Sequence, residues 1–273
     1  MTVLRSFLYV PATRPERFAK AVDAGAHAVI VDLEDAVAPD DKVPARARLH
    51  AEITALRARC DAAGCQLLVR PNARHTPWHE EDVQALEAWP VHGVVVPKPD
   101  DAQALAALHT VLGAERALYL LVESLRGFRQ VEAIAGAPGV RQLMLGAADL
   151  MLDIGTTQDD APLHHYRALL VMHSRLAGLP PPVDGVCLGL EDAALLAREI
   201  ARAKDFGFGA KLCVHPRQVV PVHEGFGPAP HERAWAERVV SAASSAQGAA
   251  VRVDGRLVDA PLLEQARRLL AAG

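Results

Sequence analysis

Carboxylates stand directly behind apolar, β-type runs at three places in this chain. AVIVDLEDA carries Asp32, Glu34 and Asp35, LYLLVES carries Glu123, and QLMLGAADL carries Asp149. Acids gathered at strand ends would repel one another unless a cation joined them, and a bound divalent metal is the simplest such cation. Glu123 and Asp149 are the best candidates for its ligands. Hard oxygen donors suit Mg2+, which takes one or two carboxylates and fills its octahedron with water and substrate oxygens. Zinc fits less well, because no His or Cys pair stands at ligand spacing. The alternative is that each carboxylate caps a helix beginning just behind its strand.

Within DLEDA, strand alternation would put Asp32 and Glu34 on one face and Leu33 and Asp35 on the other. Glu34 could touch metal-bound water, and Asp35 could cap the next helix or hold a loop. A purely structural pairing of these acids with Lys42 or Arg46 is the competing reading. Arg70 closes LLVRPN, a run with no other charge, and a buried guanidinium there demands an anion. Its planar fork matches a substrate carboxylate or an enolate oxygen. An internal ion pair with Glu34 or Glu123 would satisfy it as well. Arg14, Arg17 and Lys20 form a basic cluster that could meet the phosphates of a large substrate or simply be solvated. Lys98 and Lys211 also close apolar runs, where a Schiff-base lysine is conceivable, but nothing in the sequence marks a lowered pKa. WHEED is not HExxH, and GxGxxG, GxxxxGK[ST] and GxSxG are all absent.

Positioning these groups requires repeated β–α units. Apolar runs at 6–11, 28–34, 66–72, 93–98, 118–124 and 142–149 read as strands, with weaker candidates at 183–188 and 210–215. Helices are expected between them at about 14–26, 42–63, 80–89, 100–112, 127–136, 159–178 and 191–206. Runs such as VVVP and LYLLV are apolar almost throughout, as strands covered on both faces must be. The expected fold is α/β, a TIM (β/α)8 barrel over residues 1–225. A C-terminal extension over 226–273 would comprise a helix, a hairpin turning at Asp254-Gly255 and a last helix, acting as lid or oligomerisation segment. AASSAQGAA at 242–250 reads as a mobile joint.

Bulk properties agree. A chain of 273 residues accommodates one barrel of roughly 250 residues and an appendage. With 51% hydrophobic and 23% charged residues it can fill a sizeable core and is not a disordered chain. A net charge of -4 offers no field for nucleic acid. No apolar run approaches the roughly 20 residues of a membrane helix, and no signal-peptide cleavage pattern is visible. The four cysteines form no CxxC. Reduced thiols in a cytoplasmic protein are the expectation.

RSFLYVPATRPERFAKAVDAGAHAVIVDLEDAVAPDDK, LLVRPN, GVVVPK, LVESLRG, GAADLMLDIG, GAKLCVHPRQV and VDGRLVDAP follow one another across nearly the whole chain. In this order they resemble the citrate lyase β-subunit-like group of the HpcH/HpaI aldolase superfamily, which includes malyl-CoA and citramalyl-CoA lyases. The resemblance implies a TIM barrel assembled as a homotrimer or hexamer with Mg2+ at its mouth. It gives Glu123 and Asp149 the metal-ligand roles, with Glu123 also near substrate. Arg70 would hold the acid and the developing enolate, and Arg14 and Lys20 would meet coenzyme A phosphates. Asp259 matches a lid aspartate that enters the neighbouring subunit's site. Two departures stand out: Ala12 replaces the usual glycine of VPG, and Ala148 replaces the acid of GAED. Residues 183–188 also drift from the usual DGPY-like pattern. The implied activity is a Mg2+-dependent carbon–carbon lyase acting on a 3-hydroxy-acyl thioester of CoA or a carrier protein. It would yield an acyl thioester and an oxo-acid, or run the reverse. Hydrolysis through the same enolate, as in a malyl-CoA thioesterase or malate synthase, is one alternative. An aldolase without CoA and a non-catalytic binding barrel are the others.

Overall fold

Nearly unbroken apolar runs become strands hidden on both faces. The protein is represented by a computed structural model that describes residues 3–245 and 251–271. Strands β1 (Ser6–Pro11), β2 (Ala28–Asp32), β3 (Gln66–Arg70), β4 (Gly93–Pro97), β5 (Ala117–Val122), β6 (Val140–Leu145), β7 (Val183–Asp184) and β8 (Ala210–Cys213) pair in chain order. All are parallel, and β8 closes on β1 through Ser6↔Lys211, Phe7↔Leu212 and Leu8↔Cys213. This is a closed eight-stranded parallel barrel wrapped by helices. Its interior is packed by Phe7, Ile30, Leu68, Tyr119 and Met144, among others. The Phe7 and Tyr119 rings meet edge to face at 5.8 Å, and the Tyr119 hydroxyl donates to Gln66 Oε1 at 2.7 Å. The interior is therefore a core and not a pore.

Helices cover the outer wall by ordinary periodicity. Lys42–Ala62 buries Ala45, Leu49, Ile53, Leu56 and Cys60, a three-to-four residue spacing that makes one apolar stripe. Several sequence expectations shift here. The region 14–26 forms a short 3-10 turn, Pro15–Arg17, and the helix Phe18–Asp23. The region 127–136 is two short helices, Leu125–Arg129 and Val131–Ala135, meeting at Gln130. The seventh strand is only Val183–Asp184, not 183–188. Strand β6 stops at Leu145, and Ala147–Ile154 is a helix that the sequence reading assigned in part to the strand.

The chain divides into two compact units, Leu4–Val222 and the segment from His223 onward. In the second, the helix Pro230–Ser245 is followed by β9 (Val251–Val253), β10 (Arg256–Val258) and the helix Ala260–Ala271. The two strands pair antiparallel across Asp254 and Gly255. Both turn residues have positive φ, 50° and 77°, as a two-residue primed turn requires. Ala236, Val239, Val253, Val258 and Ala266 form this unit's small core. Of the segment read as a mobile joint, 242–245 continue the helix, and 246–250 lie outside the described residues.

Candidate active site

The carboxyl ends of β2, β3, β4, β5 and β6 bring the charges together. Asp32 closes β2 and Arg70 closes β3, and the two are register partners. Arg70 Nε and Nη2 each donate to an Asp32 carboxylate oxygen at 2.7 Å, a bidentate pair in a buried setting. The same carboxylate accepts from the backbone N–H groups of Glu34 at 2.9 Å and Ala36 at 3.0 Å. That capture ends the strand and folds LEDA back over the mouth, so the alternation expected through Glu34 does not extend past Asp32. Lys42 Nζ pins the turn by donating to the carbonyls of Leu33 at 2.9 Å and Glu34 at 2.6 Å.

Arg70's third nitrogen, Nη1, lies 3.1 Å from Asp35 Oδ2 and 3.3 Å from Glu34 Oε2. The structural alternatives are thereby corrected in part. Arg70 pairs chiefly with Asp32 and secondarily with Asp35 and Glu34, the last as the internal-pair alternative anticipated, whereas Glu123 makes no ion pair with it among the described residues. The acids of DLEDA do not pair with Arg46, which instead binds Asp82 and Glu81.

Glu123 follows β5 directly and is 3% exposed. Gly146 sits against it so closely that any side chain there would collide with the Glu123 Cβ and Oε2 atoms; only glycine permits this approach. Asp149 lies in the first turn of the helix Ala147–Ile154, not at a strand end. Between these acids stands Lys98, whose role the sequence left open. Its Nζ is 2.9 Å from Asp149 Oδ2, 3.3 Å from Glu34 Oε1 and 3.8 Å from Glu123 Oε1. Its backbone N–H donates to Glu123 Oε1 at 3.1 Å, and its φ of 47° is one that side-chain-bearing residues seldom adopt.

Burial dominates the electrostatics. It pushes Glu34 up to about 7 against the opposing charge of Arg70, and it pushes Glu123 up to about 8 with Glu34 adding to the effect. Burial opposes the charge of Lys98 too, but the hydrogen bond to Asp149 and the charges of Glu123 and Glu34 outweigh it and hold its pKa above the usual value. Glu34 Oε2 is buried and makes no hydrogen bond among the described residues. Beside this cluster opens a cavity of about 340 Å³ lined by Tyr9, Asp32, Asp35, Arg70, Glu123 and Asp149 and walled by Leu121, Leu145, Val186, Leu212 and Val214.

Residues 5–216 match the family model for HpcH/HpaI aldolase/citrate lyase. The chain belongs to this family. A citrate lyase subunit beta-like protein of Deinococcus radiodurans is 32% identical over 278 residues, covering 98% of this chain and 97% of that protein. A (3S)-malyl-CoA thioesterase of Cereibacter sphaeroides is also 32% identical, over 98% of this chain and 93% of its own. Among solved structures, CitE from Mycobacterium tuberculosis in complex with magnesium, acetoacetate and coenzyme A superposes with a TM-score of 0.85. It is 31% identical and covers 99% of this chain and 98% of its own.

For this HpcH/HpaI family member, the mouth unites Arg70, Glu34, Asp35, Glu123 and Asp149. Arg14 and Lys20 are exposed on the first β–α connection, with Arg14 paired to Glu16 at 2.5 Å, and neither lines the cavity. Asp259 belongs to the second unit, where its Oδ1 accepts from Leu262 N at 3.0 Å and caps the last helix. Lys211 is not a mouth residue: it points outward from β8 to Asp184 and Glu199. The sequence reading left the role of one mouth residue open and missed another. Lys98 carried only the weak signal of closing a strand, and Tyr9, buried in an apolar run, carried none. Among the described residues no group of three or more His, Cys, Asp or Glu side chains is arranged as a metal cage, and no helix is long and apolar enough to cross a membrane.

Proposed function

We propose that this protein is a Mg2+-dependent carbon–carbon lyase that cleaves a 3-hydroxy-acyl-CoA-type thioester into an acyl thioester and an oxo-acid, or joins the two. The observation that carries the reading is the convergence of Glu34, Glu123 and Asp149 within 3.8 Å of one Lys98 ammonium, beside the Arg70–Asp32 pair. The donor set suits a small hard cation. It is all carboxylate oxygen, Glu34 keeps a buried oxygen without a hydrogen bond, and two carboxylates with waters and substrate oxygens are enough for Mg2+. Glu123 and Asp149 would hold the ion, with Glu34 and Asp35 orienting its waters. When bound, the ion supplies Lewis-acid polarisation of the substrate's oxygens.

The chain's own groups divide the remaining work. In cleavage the hydroxyl proton would pass to a carboxylate of the mouth, the Cα–Cβ bond breaks, the hydroxyl carbon becomes the carbonyl of the oxo-acid, and the electron pair passes to the thioester as an enolate. Arg70, held by Asp32, provides positive charge fixed beside the cavity before that enolate forms, so no reorganisation is needed. Arg14 and Lys20 would meet the phosphates of the thioester carrier. Asp259, delivered by an adjacent copy in a homotrimer or hexamer, or a water it orients, would supply the proton taken up by the enolate carbon. The test is a titration of Mg2+ with a panel of acyl thioesters on the wild type and Glu123→Gln. Metal uptake and acyl-thioester release by the wild type, both lost in the variant, support the reading; an unaffected variant removes it.

A second reading is hydrolysis of the thioester through the same enolate. It is favoured by the Cereibacter thioesterase, which is as similar to this chain as the citrate lyase beta-like relative. Free CoA with an intact hydroxy acid would mark hydrolysis; acyl-CoA with an oxo-acid would mark the lyase.

A further inference from the structure

Two tyrosines point into this barrel, and among the described residues one of them finds a partner for its hydroxyl and the other does not. Tyr119 donates to Gln66 at 2.7 Å. The Tyr9 hydroxyl oxygen is buried and makes no hydrogen bond among the described residues. Such groups are rare in folded proteins, because a buried polar atom without a partner forfeits the hydrogen bonds it made to water. Tyr9 packs on the apolar interior and lines the mouth cavity together with Arg70 and Glu123. Its ring lies under the Arg70 guanidinium, 4.8 Å from centroid to Cζ, so the ring and the guanidinium border the same space, with the hydroxyl buried behind that lining.

Arg70, meanwhile, has few donors left. Nε and Nη2 are engaged by Asp32, and Nη1 faces Asp35 and Glu34. Its charge reaches the cavity, but most of its N–H groups do not. Packing alone would be satisfied by phenylalanine at position 9.

We propose that the Tyr9 hydroxyl is a substrate-contacting donor, giving its hydrogen bond to the oxygen of the oxo-acid or enolate that gathers negative charge at the cavity floor. This rests on the thioester-enolate reading above. No proton is transferred: the phenol donates a hydrogen bond while Arg70 supplies the field, and together they form a two-part oxyanion site. Burial raises the phenol's pKa, which keeps the donor protonated.

Tyr9→Phe tests this, because it retains the ring beneath Arg70 and deletes only the donor. Three quantities are measured on wild type and variant with Mg2+ present: affinity for oxalate, a planar mimic of an oxo-acid enolate, thioester kcat/KM, and thermal midpoint. The expected result is about 10-fold weaker oxalate binding, about 100-fold lower kcat/KM, and an unchanged or higher midpoint. Equal oxalate binding in the two proteins overturns the proposal whatever the turnover. A wild type that binds oxalate but turns over no thioester removes the lyase and thioesterase readings, while the oxalate comparison still judges Tyr9. A wild type that takes up no oxalate overturns both. Tyr9→Leu, which also removes the ring, should fall below Tyr9→Phe in affinity; if the two are equal and both are weak, the hydroxyl alone is responsible.

Discussion

A charge cluster on the wall of this barrel and another at its mouth are built on opposite principles. On the wall, Asp184 accepts from Lys211 at 2.9 Å and from Arg167 at 3.1 Å. Glu199 stands 3.0 Å from Lys211, and Asp159 lies 2.6 Å from Arg167 and 3.2 Å from Arg202. Strand alternation explains the setting. Val183, Ala210 and Leu212 face the interior, so Asp184 and Lys211 face the helices. At the mouth, Glu34, Glu123 and Asp149 share a single lysine. Burial works against charge in both places. On the wall the charges of Lys211 and Arg167 overcome it and lower the pKa of Asp184. At the mouth burial wins, and Glu34 and Glu123 are pushed up to about 7 and about 8. A cluster that balances itself is structure. One that needs an additional positive charge is a place for a ligand.

Removing one charge from each cluster separates these roles. The largest expected effect is on the wall. Asp184→Ala leaves Lys211 and Arg167 facing a vacancy between the barrel and its helices, which should cost about 3–5 kcal/mol of stability, read as a lower urea midpoint at constant slope. A loss under about 1 kcal/mol would break the comparison at its stronger end. At the mouth the same kind of change should act in the other currency. Glu123→Gln is expected to lower turnover by about 100- to 1000-fold and to abolish the Mg2+-induced rise in thermal midpoint, while the metal-free protein keeps or gains stability. A metal-free variant destabilised as strongly as Asp184→Ala would mean that both clusters are structural.

Asp32→Asn sharpens the boundary between the two, because Asp32 belongs to both kinds. It is a matched partner of Arg70 and also a wall of the cavity. Asparagine keeps one acceptor oxygen but loses the charge-assisted fork. The expected result is a fall in kcat/KM of about 10- to 100-fold, as when an outer partner of a site is lost, with a stability change well below that of Asp184→Ala. Wild-type kinetics in this variant would show that Arg70 needs no orienting carboxylate.

Much of this arrangement is legible from local sequence. The runs AVIVD, LYLLV and GVVVP are apolar enough to be nothing but covered strands, and the Asp254-Gly255 turn adopts the positive φ values its residue types favour. What was misread depends on contacts that local pattern cannot carry. The run through Asp149 looks strand-like up to Leu145, yet Ala147 and Leu150 are the buried positions beyond it; a spacing of three is helical, and Gly155, with φ of 76°, marks that helix's end. The Asp32–Arg70 pair could have been found by aligning β2 with β3, since each residue closes its strand. Lys98 could not: its placement depends on a backbone conformation outside the usual range and on acids from three other segments.

The smallest effect follows from the pH dependence of the wall. Asp184 has a lowered folded pKa, so its contribution is present above the unfolded carboxylate value near 3.9 and is lost as pH falls through the lower folded value. Lys211 has a raised folded pKa. Its contribution is complete below the unfolded value near 10.4 and disappears only as pH rises through the higher folded one. Between roughly pH 5 and 9 the wall should therefore contribute constant stability. Urea midpoints of wild type and Asp184→Asn, taken in chelator so that no metal fills the mouth, should differ by a fixed amount across that window. The gap should then narrow below pH 4, where the wild-type carboxylate also takes up its proton. A gap that instead changes between pH 6 and 8 would mean that the wall titrates where the mouth does, and the two clusters would no longer be distinct.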